Sequence, residues 1–131
     1  MNFVIENRRI YFKSRKKQSH VLFILGSCGW KHGKESFLFS LLNPSGAGPT
    51  LLPLKGSKNQ NGIFCKSSYG PTFGAGFDLF IANGANANSG SYSNLGQSYD
   101  GPPDANCEAF LAGQRNFVVT ELEVFVFQAI G

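Results

Sequence analysis

Three cysteines, two histidines and one methionine among 131 residues, with charged side chains at only 15% of positions, leave little material for several kinds of chemistry. Cys28, Cys65 and Cys107 are odd in number and far apart, which fits neither a disulfide framework nor a zinc knuckle. There is also no Asn-x-Ser/Thr glycosylation acceptor, and the expected setting is reducing and cytoplasmic. The histidines show no His-Glu-x-x-His spacing, so neither a metal nor another cofactor is expected. Long apolar runs are missing as well. Nothing approaches the ~18–20 residues that span a bilayer. Val21 to Leu25 follows Ser14-Arg15-Lys16-Lys17 in the order of a signal peptide, but it falls short of the ~7–15 apolar residues of an h-region, and no cleaved leader is expected. No helical stripe persists over ~11 residues.

What is present is core-forming material and turn residues. Hydrophobic side chains make up 42% of the chain, thirteen of them phenylalanine, in a length suited to one domain that buries roughly 65–70% of its unfolded surface. Charge is uneven. Residues 1–34 carry eight basic side chains against Glu6 alone, whereas the remainder carries four basic and seven acidic ones. The division expected is a basic, solvated and poorly defined arm over residues 1–34, then a β domain over residues 35–131. Within the arm neither paired aromatic platforms nor a helix pattern accompanies the charge, so nucleic acid is not the expected partner.

Beyond residue 34, short apolar runs alternate with Gly, Pro, Asn and Ser, the punctuation of an antiparallel β protein. Ser36 to Asn43 reads as a strand apolar on both faces, with Phe37, Phe39 and Leu41 on one and Leu38 and Leu42 on the other. Leu51 to Lys55 reads as an edge strand because Pro53 removes a ladder donor. Asn61-Gly62 reads as a hairpin turn before Ile63-Phe64-Cys65. The segment Ser68 to Ile81 is the densest in special residues. Gly70, Pro71, Gly74 and Gly76 make a structural turn, and the run after Gly76 reads as a strand with Phe77, Leu79 and Ile81 on one face and Asp78, Phe80 and Ala82 on the other. Asn83 to Asn94 reads as an exposed loop. Phe117 to Phe127 reads as one long strand that places Glu121 and Glu123 on a common face, about 7 Å apart at ~3.3 Å rise per residue. The architecture expected is mainly β, with antiparallel strands in two packed sheets joined by long loops.

Few residues look chemically poised. Glu121 and Glu123 could act as an acid–base pair, yet such pairs normally sit on separate elements across a cleft, and a solvent-facing or loop-capping pair is the favoured reading. Cys28 and His32 are separated by Gly29 in a flexible loop with no orienting carboxylate. Gly74-Ala75-Gly76 does not continue as Gly-x-Gly-x-x-Gly and opens a strand rather than a helix, unlike a phosphate cradle. The Asn83–Asn94 loop with Tyr92, Tyr99 and Asp100 offers amides and aromatics that suit a sugar ring or oxygen ligands for calcium, and a small glycan-binding module is the alternative reading.

The glycine turn leading to Gly76-Phe77-Asp78-Leu79-Phe80-Ile81 resembles the TLDc domain. So do Phe37 to Leu41, Ser91 to Gly96, Phe110-Leu111-Ala112-Gly113 and Phe117 to Phe125, which follow in the family's order. The likeness covers about Trp30 to Phe127 and matches the C-terminal part of the domain. It implies a β-sandwich flanked by helices whose opening helical and strand elements have no counterpart here, so the chain reads as a partial domain. It also implies a non-enzymatic protein-interaction module, with links to oxidative-stress resistance and to subunits of the vacuolar proton-pumping ATPase. Glu123 matches the acidic residue before the family's Val-Phe step, which gives it a structural or interaction role. Asp78, Tyr92, Asn94, Glu121 and Glu123 are the candidate interaction residues. With part of the sandwich missing, apolar faces such as Phe37-Phe39-Leu41 would lack cover, and self-association is expected.

Overall fold

The computed structural model describes residues 2–6, 9–14, 29–32, 36–103 and 106–126. Among these residues eleven strands are formed: β1 (Asn2–Glu6), β2 (Arg9–Ser14), β3 (Gly29–Lys31), β4 (Phe37–Leu42), β5 (Thr50–Pro53), β6 (Ile63–Cys65), β7 (Thr72–Phe73), β8 (Leu79–Phe80), β9 (Ser91–Ser93), β10 (Asn116–Phe117) and β11 (Glu121–Val126). They form a five-stranded sheet in the order β11-β2-β1-β4-β5 and a six-stranded sheet in the order β10-β9-β8-β7-β6-β3. The fold is mainly β, as the punctuation of the sequence predicts.

The six-stranded sheet is antiparallel throughout and is built chiefly from a meander, β6 to β10, in which each short strand folds back on the one before. The five-stranded sheet is mixed, because β1 runs parallel to β4 and β2 runs parallel to β11. Parallel neighbours cannot be joined by a tight turn. The chain accordingly leaves this sheet twice between them, to build β3 and then the whole meander.

Period-two alternation directs the core. On β4, Leu38 and Ser40 turn inward while Phe37, Phe39 and Leu41 are half-buried on the other face; Leu42, at the strand end, is 52% exposed rather than sharing the face of Leu38. Leu52 of β5 stands opposite Leu38 and is buried with it. Pro53 lies on an edge strand, where its missing N–H costs no ladder bond. From the other sheet come Ile63, Cys65, Phe73, Leu79 and Phe117, and loops add Leu95, Tyr99, Phe110 and Leu111, all in one cluster.

Several boundaries differ from the sequence reading. Residues 2–6 and 9–14, expected within a basic arm, are strands of the five-stranded sheet. Val21 to Leu25 and Cys28 lie outside the described residues. Asn61-Gly62 is no hairpin turn: Asn61 closes a 3-10 helical turn over Gly56–Asn61, and Gly62 has φ −67°, whereas the tight hairpin turn needs positive φ at both positions. Ser91–Ser93 is a strand with two inward serines rather than exposed loop. Phe117 to Phe127 is not one strand, because the chain breaks pairing over residues 118–120 and passes from β10 of one sheet to β11 of the other.

Candidate functional site

The glycine-rich segment is a β-hairpin. Thr72 pairs with Phe80 and Phe73 with Leu79, and residues 74–78 turn the chain. Gly74 has φ +83°, and a Cβ there would lie 1.9 Å from Oδ1 of Asp78, so both conformation and space demand glycine. Gly70 meets a different limit, since a Cβ would lie 2.5 Å from the Ile81 carbonyl oxygen, the backbone it packs against.

Asp78 is fully buried. Its carboxylate accepts backbone N–H bonds from Gln97, Ser98 and Tyr99 at 2.9–3.1 Å, and its carbonyl accepts the amide of Asn94. Around this centre the Ser98 hydroxyl accepts the Ala75 amide at 2.8 Å. The Gly62 carbonyl takes both the Tyr99 hydroxyl, at 2.8 Å, and the Gly74 amide, at 3.0 Å. Burial raises the Asp78 carboxyl above its ordinary value, and the three amides pull in the opposite direction. Burial likewise raises the Tyr99 phenol far above its usual range. These groups form a lock that joins the hairpin turn to residues 94–99. Asp78, expected as an interaction residue, lies inside the molecule. It is buried like Leu79 rather than half-exposed like Phe80 because residues 74–78 are turn, with Phe77 at φ +52°, and strand alternation begins only at Leu79.

Above the lock lies the outer face of the six-stranded sheet. The register places Trp30, Phe64, Thr72, Phe80 and Tyr92 in one row across β3, β6, β7, β8 and β9. Thr72 is small and would leave a gap. Phe77 fills it from the turn, with its ring centroid 5.6 Å from that of Phe64 and 5.9 Å from that of Phe80, nearly parallel to the latter at 12°. Trp30 to Phe64 at 4.8 Å and Phe80 to Tyr92 at 5.2 Å complete the row. Tyr69 stands edge-on to Phe77 and Phe80 at 6.1 and 5.1 Å. Trp30 is 39% exposed and the other rings are half-buried. Two cations cap this surface: Lys66 Nζ lies 4.7 Å from the Tyr69 ring centre, and Arg115 Cζ 5.4 Å from that of Tyr92. Burial raises the Tyr92 phenol, which Arg115 partly offsets.

A crevice of about 410 Å³ opens where residues 81–86 face residues 119–122, with Gly70 and Pro71 alongside and Glu121 in its wall. The Val119 amide donates to Ala85 O at 3.0 Å and ties its two sides.

The expected site residues thus fall in three places. Gly74, Gly76, Asp78 and Asn94 belong to the lock, where the Asn94 side chain donates to Gly76 O at 3.3 Å. Gly70, Pro71 and Glu121 border the crevice, and Glu123 is half-buried farther along β11. Tyr92 belongs to the aromatic face. The Tyr92, Tyr99 and Asp100 set is not assembled, since Tyr99 is wholly buried while Tyr92 lies on the outer surface. Trp30, Phe64, Tyr69, Phe77 and Phe80 were not singled out by the sequence reading, although Phe64, Phe80 and Tyr92 each occupy the outward position of an alternating strand. Among the described residues no group of three or more His, Cys, Asp or Glu could hold a metal ion, and no helix is long and apolar enough to cross a membrane.

A family model described as TLDc domain matches residues 7–128, beginning upstream of Trp30 and taking in β2. No curated protein matches the chain, and no solved structure does.

Proposed function

Because the chain belongs to the TLDc domain family, whose domains are generally non-catalytic protein-interaction modules, we propose that it acts by binding another protein, with vacuolar ATPase subunits as partners and oxidative-stress resistance as the outcome. The observation that carries this reading is the family match over residues 7–128. The distribution of polar groups supports it. Asp78, one of the candidate interaction residues, is spent on backbone amides, and a row of partly exposed side chains on the six-stranded sheet is aromatic.

The proposal is tested by capture of purified vacuolar ATPase subunits on the immobilised chain, beside a glycan array. Retention of a subunit with no glycan bound is the expected result; a saturable glycan signal lost in Tyr92→Ala, without subunit capture, would replace this reading by the sugar-binding one. Glu123→Gln should leave subunit capture unchanged within twofold if that residue acts structurally. We also propose self-association through the five-stranded sheet. Leu51 and Leu42 are 55% and 52% exposed beside half-buried Phe39 and Leu41, near the β5 edge. Size-exclusion chromatography should show a concentration-dependent shift that Leu51→Glu reduces, and a monomer at every concentration would remove this second proposal.

A further inference from the structure

We propose that the aromatic row on the outer face of the six-stranded sheet is the docking surface for an acidic segment of a partner protein carrying aliphatic side chains; this rests on the interaction-module reading and names the surface and the chemistry it recognises. Three observations carry it. First, the row is continuous over Trp30, Phe64, Phe77, Phe80 and Tyr92 with Tyr69 beside it, and its most exposed member, Trp30, is at one end. Second, continuity is obtained at a backbone cost. Phe77 is the single non-glycine residue with positive φ among the described residues, and a bulky side chain in that region is a true outlier that persists only where its surroundings over-determine it. The lock beneath the turn supplies that determination, and what it achieves is a ring over the Thr72 gap. Third, the charge at the surface is cationic. Lys66 caps Tyr69 beside the row, and Arg115 caps Tyr92 at the end opposite Trp30. The acidic side chain facing this end, Glu108, lies 3.6 Å from Arg115 with both side chains about half exposed, and an incoming carboxylate competes with it.

The geometry of the rings selects the occupant. Stacking of nucleic-acid bases needs flat, open ring faces. Here successive rings are tilted by 51°, 31°, 12° and 33°, with Tyr69 edge-on, which makes a corrugated apolar surface suited to aliphatic side chains inserted between rings. An extended segment lying across the strands, rather than along an edge, crosses the rings between the two cations.

The experiment uses the full chain and an array of synthetic peptides of about twelve residues built from Glu, Asp, Leu, Ile, Val and Gly, with a matched set in which Lys replaces the acidic residues, and an oligouridine in solution. The best binder is titrated while following emission from the single tryptophan, Trp30. Binders are expected from the acidic set, with a saturable blue shift. Lys66→Glu and Arg115→Glu should each weaken binding by on the order of tenfold, and Glu108→Gln should tighten it. Equal binding by the lysine set, an equal Trp30 response to oligouridine, insensitivity to both charge reversals, or no binder at all overturns the proposal. Subunit capture separates the two readings. Capture that persists in Lys66→Glu and Arg115→Glu keeps the interaction module and rejects this surface, whereas acidic-peptide binding without subunit capture keeps the surface and rejects the ATPase link.

Discussion

The two sides of the hairpin turn at residues 74–78 follow opposite rules. On the inner side every group that could be costly is matched: Asp78 receives three amides, Tyr99 finds the Gly62 carbonyl, and Gly74 leaves space for a carboxylate that any other residue would displace. On the outer side Phe77 is strained and incompletely covered. Five residues of chain thus hold a fully satisfied polar network and an unsatisfied apolar surface back to back. The difference teaches which side each kind of substitution should affect. Changes to the inner side should act on stability, and changes to the outer side should act on binding with little effect on the fold.

The sharpest attempt to break that division is Gly74→Ala. The substitution brings both a left-handed backbone penalty of roughly 1–2 kcal/mol and the displacement of a buried carboxylate from hydrogen bonds worth about 1.5–3 kcal/mol each. A loss of about 4 kcal/mol is expected, read from the urea midpoint, and a loss under ~1 kcal/mol would mean that the lock is not closed in solution. Asp78→Asn comes next. An amide has one acceptor oxygen where the carboxylate has two, and its NH₂ would face backbone donors; about 3 kcal/mol should be lost. Since the two substitutions act on one network, the double variant should lose clearly less than their sum.

Asp78 also sets a pH signature. Its carboxyl is raised in the fold above the 3.8 of a free aspartate, so the native state holds the proton more tightly than the unfolded chain. The contribution is therefore fully present below the unfolded value and is lost as pH rises from there through the folded value, after which this group adds no further slope. Stability of Asp78→Asn measured over the same range should lack that decline; identical profiles for the two proteins would assign the slope to other carboxylates. Gly70→Ala should cost less, about 2 kcal/mol, because its Cβ meets the Ile81 carbonyl oxygen at 2.5 Å and the backbone must shift, though no buried charge is uncovered.

What the sequence revealed, and what it hid, follows the same line. The strands Phe37–Leu42 and Thr50–Pro53, the glycine turn and the family resemblance were all legible, because local alternation and special residues speak for themselves. The aromatic row was not. Trp30 and Phe64 are 34 positions apart in the chain, and only the register of β3 on β6 makes them neighbours. The burial of Asp78 is hidden from the sequence for a local reason. An alternation counted from Gly76 assumes extended backbone at Phe77 and Asp78, whereas the chain is still turning there and strand alternation begins only at Leu79. The break over residues 118–120 is a third case, since Phe117 to Phe127 is β-favouring throughout, and the crossing between sheets is dictated by where β2 offers a parallel edge rather than by any turn residue.

The finest separation of the two sides comes from comparing two substitutions at Phe77. In an ordinary strand, glycine is worse than alanine by roughly 0.5–1 kcal/mol. At φ +52° the order should reverse, because glycine relieves the left-handed penalty and alanine keeps it. Both lose the same half-buried ring, so the difference isolates the backbone. Phe77→Gly is expected within about 1 kcal/mol of the parent, and Phe77→Ala about 1 kcal/mol below Phe77→Gly, by chemical denaturation. Neither touches the lock, so the pH profile set by Asp78 should survive in both. Both should nevertheless weaken the acidic peptide alike, since the gap over Thr72 reopens in each. If instead peptide affinity followed stability, with glycine binding better than alanine, the outer side would be acting through the fold, and the turn would have one role rather than two.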